Sequence, residues 1–249
     1  MPKNLRDRYS TIKTYTGIGL YDPNTRVSVT ISHMGMKAMV LGKEKNTFID
    51  PSDSVLGFYR VSYVEIGSQS FNQSSGCGDQ DIIIRAQFER NREDFPDCVG
   101  EDVPCYSIGD TLVTYRFAGI ITAEANNEIA DGTVAGGMAW LNAIINQVNL
   151  LWVRELSFRL ELIENNDELI YTDNNPTPSD FTAFDMYTEL PLVLDHITNV
   201  IGSGGYATPA ESLLWEYGAV FNTGYGGGLA YVPGSTSANL PTYEIFNHE

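Results

Sequence analysis

Positive charge is scarce in this chain and unevenly placed. Only 15 of the 249 residues are Lys or Arg, against 32 Asp and Glu, so the formal net charge is −17 at pH 7. Eight of the 15 lie before residue 46, and none follows Arg159. Nucleic-acid binding needs a basic face to meet the phosphates, so this balance argues against nucleic acid and against an anionic membrane as partners. A well-solvated acidic surface is the simplest interpretation.

Cysteines and long apolar runs are also few. Cys77, Cys98 and Cys105 are too few for a disulfide scaffold and too widely spaced for a zinc knuckle. The first eight residues are polar with no apolar segment behind them, and no run approaches the length of a membrane span. Composition therefore predicts no membrane segment and leaves the compartment undecided. The 43% of apolar residues is ample for a folded core in one or two domains.

Residues 1–75 show the pattern of a small β-rich module. Apolar and polar residues alternate over four short segments, separated by turn sequences such as Asp22-Pro23-Asn24. The segments are 27–31, 38–41, 48–49 and 58–64. Residues 76–107, which become rich in Asp, Glu, Pro and Cys, indicate a linker.

The rhythm changes in residues 108–249, where strand-like segments alternate with helical ones. Apolar residues from Val134 to Trp152 follow one another by three and four, which predicts a helix over 131–155 with Asp131 as its cap. A second helix is predicted over 189–201, capped by Thr188. The predicted strands are 112–121, 158–162, 217–221 and 228–232. This order predicts an α/β fold, mixed with α+β character, in which helices pack on a twisted, mostly parallel sheet.

The last two residues, His248 and Glu249, are the main candidates for chemistry. Thr242 can cap a helix that carries both of them. Zinc peptidases place a His on a helix, a Glu directly after it and a second His four residues after the first. Both imidazoles then face the metal, while the Glu acts as general base on the metal-bound water. On its own the dipeptide is a very weak signal, and an ordinary surface histidine near a terminus is the far more common explanation.

Segments along nearly the whole chain resemble the reprolysin-like (metzincin) zinc peptidases, in the bacterial secreted branch that carries an N-terminal pro-region. The segments are 12–19 (IKTYTGIG), 36–41 (MKAMVL), 47–51 (TFIDP), 114–118 (TYRFA), 146–149 (NQVN), 160–171, 220–224 (VFNTG) and 227–232 (GGLAYV). They follow the order in which the family has them.

The resemblance implies a fold, a cofactor and two roles. Residues 108–249 would be the N-terminal part of a metzincin-like catalytic domain, and 1–75 a β-rich pro-region. His248 would be the first zinc ligand and Glu249 the catalytic base. The cofactor would be zinc, the substrate a protein or peptide, and the location extracellular, although a signal peptide is not present in this chain. We expect the chain as given to end inside the metal-binding helix and to be inactive alone.

A substrate-binding strand is predicted at Gly228, Leu229, Ala230 and Tyr231. With the resemblance included, we expect an edge strand, antiparallel to its neighbour, above the start of the final helix. An extended peptide can join such a strand through backbone hydrogen bonds. The glycines at its start fit, because residues without a Cβ allow close approach of a second backbone. A strand buried on both sides would suit the apolar residues equally well.

Alternative interpretations remain open. The chain could be a non-catalytic acidic binding or structural module, or a metzincin-like pseudoenzyme without a complete metal site. One disulfide with a spare thiol is the simple interpretation of the cysteines. The sharper one is a latency switch, in which the thiolate of Cys77, Cys98 or Cys105 reaches the zinc site. His33 and His196 are predicted to be solvated rather than metal ligands.

Overall fold

The computed structural model of the protein describes residues 1–52, 57–65, 111–182, 186–204, 214–223, 228–231 and 242–248. Within those ranges the chain forms two five-stranded sheets and four helices. The strands are β1 (Lys13–Ile18), β2 (Arg26–Ser32), β3 (Gly35–Leu41), β4 (Lys45–Pro51), β5 (Tyr59–Glu65), β6 (Val113–Ile121), β7 (Phe158–Leu162), β8 (Tyr217–Thr223), β9 (Gly228–Tyr231) and β10 (Thr242–His248). The helices are α1 (Lys3–Arg8), α2 (Ala123–Ile129), α3 (Val134–Glu155) and α4 (Met186–Val200). The predicted mixture of α and β structure is confirmed.

The first sheet is an antiparallel meander in which β1 to β5 pair in chain order. Its strands β2 to β5 contain the four segments predicted from alternation, except that β5 starts at Tyr59, one residue after the predicted start. The hairpin between β2 and β3 turns at Gly35, whose φ of 110° favours glycine. Strand β1 did not stand out by alternation because its residues are mostly exposed, so no buried face imposes a period of two.

The second sheet has the order β7-β6-β8-β10-β9. Strands β7, β6, β8 and β10 run parallel to their neighbours, and β9 runs antiparallel to β10. The sheet is therefore mostly parallel, as predicted. Helix α3 connects β6 to β7, which is the crossover that two parallel neighbours require.

Both predicted helices exist, with different beginnings. Helix α3 starts after Thr133, whose hydroxyl accepts a hydrogen bond from the backbone N–H of Gly136 at 2.9 Å. Asp131 lies outside the helix and accepts from the N–H and hydroxyl of Thr133. The predicted cap was therefore two residues too early, because Asp131 supports the capping residue instead of capping the helix itself. Helix α4 starts at Met186, so Thr188 lies inside it and is not its cap.

Helix α3 is buried on every side over its first half. Residues 136–143 are all buried, which a helix lying on one sheet would not achieve. On one side, Met138 and Leu141 pack in a core with residues of the second sheet. On the other side, Ala139 and Ala143 face the first sheet across a small cavity. A side chain packs closely on a glycine of this helix, because a Cβ on Gly137 would lie 2.5 Å from the side chain of Ile170.

Two asparagines of α3 hold the edge strands of the two sheets. The side-chain amide of Asn146 donates to the carbonyl oxygens of Tyr15 in β1 and Val29 in β2, both at 3.2 Å. Asn149 donates to the carbonyl of Leu160 in β7 at 2.8 Å and accepts from the same residue's N–H at 2.7 Å. At the edge strand β7, the amide of Asn149 satisfies both backbone groups of Leu160.

Several sequence predictions concern residues outside the described ranges. All three cysteines fall between residues 66 and 110, so the disulfide and latency hypotheses stay predictions. The proposed divisions after residues 75 and 107 lie in the same interval and also stay predictions. Among the helices that are described, none is both long enough and apolar enough to cross a membrane.

The pairing of Asn149 with β7 gives a test of the fold. Asn149→Ala leaves the N–H and C=O of Leu160 without their partner, so we expect the free energy of unfolding to fall by about 1–3 kcal/mol. Chemical denaturation measures the change. Gln147→Ala on the same helix is the matched control, since the described structure records no hydrogen bond from that amide. Equal losses in both variants would show that the Asn149 bridge contributes nothing beyond helix packing.

Candidate functional site

The carboxyl ends of the parallel strands meet at one edge of the second sheet. Strand β6 ends at Ile121, β8 at Thr223 and β10 at His248. In the register of the sheet, His248 lies beside Thr223, and Asn247 beside Asn222. Ligand sites of open parallel sheets lie outside the carboxyl ends of the strands. We therefore take this edge, together with β9, as the candidate functional site.

The structure places His248 at the end of a strand. Residues 242–248 form β10, so the helix predicted to carry His248 is wrong. Thr242 pairs with Tyr217 at the start of the ladder instead of capping a helix. Glu249 lies outside the described residues, and its predicted role as catalytic base stays a prediction.

The strand forms because both sequence and neighbour favour it. Tyr243, Ile245 and Phe246 are aromatic or β-branched and have high β propensity. All seven residues of β10 pair in register with the seven residues of β8. The complete parallel ladder along β8 therefore favours a strand here, although Thr242 could also cap a helix.

Strand β9 lies where the sequence predicted. Residues 228–231 form the last strand of the described sheet and run antiparallel to β10. Gly228 is opposite Phe246, and Tyr231 is opposite Tyr243. The predicted edge position and direction are thus observed. The predicted place above a final helix is not, because β10 is a strand. Substrate binding by Gly228, Leu229, Ala230 and Tyr231 stays a prediction.

A buried polar cluster lies beneath this edge. The amide of Asn222 donates to the carboxylate of Glu189 at 3.0 Å and to the carbonyl of Phe181 at 2.9 Å. Its oxygen accepts from the hydroxyl of Thr122 at 3.1 Å and from the N–H of Thr223 at 2.9 Å. These four bonds fix the orientation of the amide. Glu189 is completely buried, and a buried carboxylate is costly unless donors meet it.

No local sequence pattern predicted this cluster. Glu189 was expected only as an ordinary residue of the first turn of a helix. The available signal was Asn222, a polar residue within the apolar run of β8, since buried polar side chains need partners. The cluster ties α4 to the carboxyl ends of β6 and β8, so it holds the site's framework in place.

His196 forms a second buried cluster on the same helix. Its side chain is 9% exposed, so its predicted position in solvent is wrong. Nε2 lies 2.7 Å from the hydroxyl of Tyr171, and Nδ1 lies 3.6 Å from a carboxylate oxygen of Asp180. Burial lowers the pKa of His196, and the charge of Asp180 opposes that effect. Burial, with the charge of Asp180 as a smaller cause, raises the pKa of Tyr171.

His33 is a surface residue with a structural partner. It lies in the turn between β2 and β3, and its Nε2 is 2.8 Å from the carboxylate of Asp131. The histidine side chain is 40% exposed, in agreement with the predicted solvated position. The pair connects the first sheet to the residues just before α3.

The residues at hand do not complete a zinc site. No group of three His, Cys, Asp or Glu side chains arranged to hold a metal is found within the described ranges. A catalytic zinc needs three protein ligands and an open position, and His248 offers one nitrogen. We therefore derive no reaction step through zinc from this geometry.

Comparison of the chain with protein-family models, with curated proteins and with solved structures gives no match.

The His196 cluster predicts a pH dependence of stability. Because its folded-state pKa lies below the unfolded value of about 6.5, the unfolded chain takes up the proton first as the pH falls. The contribution of His196 is therefore fully present above that value and is lost as the pH falls toward the folded-state pKa. We expect the thermal midpoint of His196→Gln to fall less between about pH 7 and pH 5 than that of the unmodified protein.

Asp180→Asn should have the opposite effect on the acid-induced loss of stability. Removing the carboxylate that raises the pKa of His196 lowers that pKa further, so the acid-induced loss should continue to lower pH. If His196→Gln and the unmodified protein lose stability in parallel, burial of the neutral imidazole is not the cause.

Proposed function

We propose that the chain belongs to a secreted, zinc-dependent endopeptidase of the reprolysin-like kind, and that β9 holds the peptide substrate. The observation that supports this most is the place of β9. It is an antiparallel edge strand next to β10, the strand that ends at His248. The edge position and the antiparallel direction of β9 agree with what the sequence resemblance led us to expect.

The backbone of β9 supports binding of an extended peptide. In the sheet as described, β9 pairs with β10 on one side and has no strand on the other. The second row of N–H and C=O groups can pair with a peptide of almost any sequence, which suits an endopeptidase. Peptide affinity would come from the backbone ladder, and preference from side-chain pockets.

The register indicates where cleavage would take place. Gly228 is opposite Phe246, two residues before His248, whereas Tyr231 is opposite Tyr243 at the far end. Two residues of strand correspond to roughly 7 Å. A peptide on β9 would therefore bring its scissile bond to the side of Gly228, toward the end of β10 that carries His248.

A non-catalytic peptide-binding module is the second candidate. It is favoured by one observation, that residues 242–248 form a strand whereas the zinc motif requires its histidine on a helix. Both candidates use β9 to bind peptide and differ only in hydrolysis. A pseudoenzyme would share this behaviour.

The catalytic half of the proposal is tested with the protein produced together with any residues that its gene encodes after Glu249. We expect about one zinc per chain after dialysis and hydrolysis of fluorescent casein. His248→Ala should lose the metal. Glu249→Gln should keep the metal and lose activity by about 100- to 10,000-fold, because proton transfer to a positioned base contributes that much. Absence of both zinc and hydrolysis would favour the binding module.

The chain of 249 residues serves as the metal control. One imidazole cannot hold zinc tightly, so we expect little metal after dialysis. Tight stoichiometric zinc on this chain, retained by His248→Ala, would overturn the assignment of His248 as a ligand.

The substrate strand is tested by a pair of proline variants, Leu229→Pro and Ala230→Pro. Successive backbone N–H groups of a strand point to opposite sides, so one proline removes an N–H facing β10 and the other removes one facing outward. We expect one variant to misfold and the other to stay folded with weakened peptide binding. Circular dichroism and fluorescence anisotropy with a labelled extended peptide give the two readings. If both variants misfold, β9 is paired on both sides and does not hold substrate.

A further inference from the structure

Three of the few cationic side chains line one groove. The groove has a volume of about 660 Å³ and lies between the first sheet, the second half of α3 and the beginning of the second sheet. Arg26, Arg154 and Arg159 line it. In a chain with 15 cationic and 32 acidic residues, such a convergence creates a local positive potential against a negative background.

Two of the three guanidinium groups are not neutralised by a carboxylate. Among the described residues, neither Arg26 nor Arg159 forms an ion pair. The Nε of Arg159 donates to the hydroxyl of Thr114 at 3.1 Å, which positions the side chain without cancelling its charge. Arg154 pairs with Glu155 at 2.5 Å, so it contributes less. A guanidinium is always protonated, and its planar fork fits a carboxylate. Arg26 and Arg159 are therefore permanently charged groups that can bind an anion.

The rest of the groove is suited to a peptide more than to an inorganic ion. Ile18, Leu112, Leu150 and Val153 also line it. A small oxyanion would contact the arginines and leave these apolar side chains in water, whereas apolar side chains of a peptide can cover them. Its volume lies within the range of about 300–1,000 Å³ typical of ligand sites.

The groove continues along α3 into a smaller cavity. A smaller cavity of about 60 Å³ shares Asn146 and Asn149 with it and continues along α3 between β1 and β7. The amides of Asn146 and Asn149 are already bonded to the backbone of these strands, so the floor is fixed. The smaller cavity is also lined by Glu161, so the acidic side chains of a bound segment would lie in the larger part of the groove.

This groove is separate from the candidate functional site. Leu112 precedes β6 and Arg159 is the second residue of β7, so the groove lies at the amino ends of the parallel strands. His248 lies at the carboxyl end of β10, which runs parallel to β8 and, through it, to β6. Strand β6 has nine residues, which corresponds to roughly 30 Å between the two edges of the sheet.

We propose that this groove binds an extended acidic peptide segment of a partner protein. Glutamate or aspartate side chains of the segment pair with Arg26 and Arg159, and apolar side chains between them pack on Leu150 and Val153. The net charge of −17 disfavours binding of an acidic segment to the protein surface in general, so the arginines of the groove give the binding its specificity. Binding here is independent of hydrolysis and would hold for either function proposed above.

The test uses a short fluorescein-labelled peptide in which glutamate alternates with leucine, with a chelator present so that no metal-dependent cleavage alters it. We expect the full chain to bind it by fluorescence anisotropy, more weakly as salt increases. Arg26→Gln combined with Arg159→Gln keeps most of the apolar stems and removes both charges. Two partly exposed pairs are lost, so affinity should fall by about tenfold.

The matched control is Arg6→Gln combined with Lys43→Gln, which removes two exposed charges away from the groove and should leave affinity nearly unchanged. Hydrogen exchange on the unmodified protein gives a reading that does not depend on variants. Bound peptide should protect residues 13–18 and 150–159.

Four results would overturn the proposal. The first is equal binding of a peptide with glutamine in place of glutamate, and the second is an equal loss of affinity in both double variants. The third is protection from hydrogen exchange confined to other segments. The fourth is displacement of the peptide by inorganic phosphate at the same concentration at which the peptide saturates the protein. The last result would assign the groove to a small oxyanion instead.

Discussion

Helix α3 is the one element that both sheets require. Its first half is enclosed completely, with the second sheet on one side and the first sheet on the other. Such packing is possible only if the side chains that face the first sheet are small, and Ala139 and Ala143 meet that condition. Larger residues at these positions would separate the sheets and expose apolar surface on both. The geometry of the candidate site and of the basic groove depends on this helix, since each is built on a sheet that α3 positions.

Polar side chains then fix what apolar packing leaves free. Apolar contacts are non-directional and do not by themselves fix the position of one element along its neighbour. Asn146 and Asn149 join α3 to the backbone of β1 and β7, and Asn222 joins α4 to β8. All three are amides, which donate and accept at once without carrying charge. In a chain with so large an excess of acid, uncharged groups of this kind connect elements without adding to the repulsion.

The predictable parts of the structure were those with a periodic burial pattern. The strands of the first sheet, the parallel sheet and the two long helices follow from alternation and from the three-and-four spacing of apolar residues. Strand β1 and helix α2 were missed, because β1 is mostly exposed and α2 is short and polar. The edge position of β9 came from resemblance and not from its own residues, which suit a buried strand equally well.

The site was less predictable because its residues are placed by tertiary contacts. Thr242 is as good a helix cap as a strand residue, and only the presence of β8 as a neighbour decides between them. His196 follows an acidic residue on an amphipathic helix, which is typical of a solvated position, yet Tyr171 and Phe181 enclose it. No local pattern carries information about such distant partners.

The first helix packs the amino-terminal residues into the core beside the second sheet. Leu5 and Ile12 are almost completely buried in the core that also contains Phe117 and Leu141. Arg8 and the ring hydroxyl of Tyr9 both donate hydrogen bonds to the carboxylate of Asp167. Burial, together with the hydrogen bond to Asp167 and its negative charge, raises the pKa of Tyr9 to about 12, and the charge of Arg8 opposes this effect. The amino-terminal residues are thus part of the core of the second sheet as much as part of a preceding module. A protease that cut between residues 65 and 111 would break one covalent connection and leave this shared core intact, so cleavage and release would be two separate events.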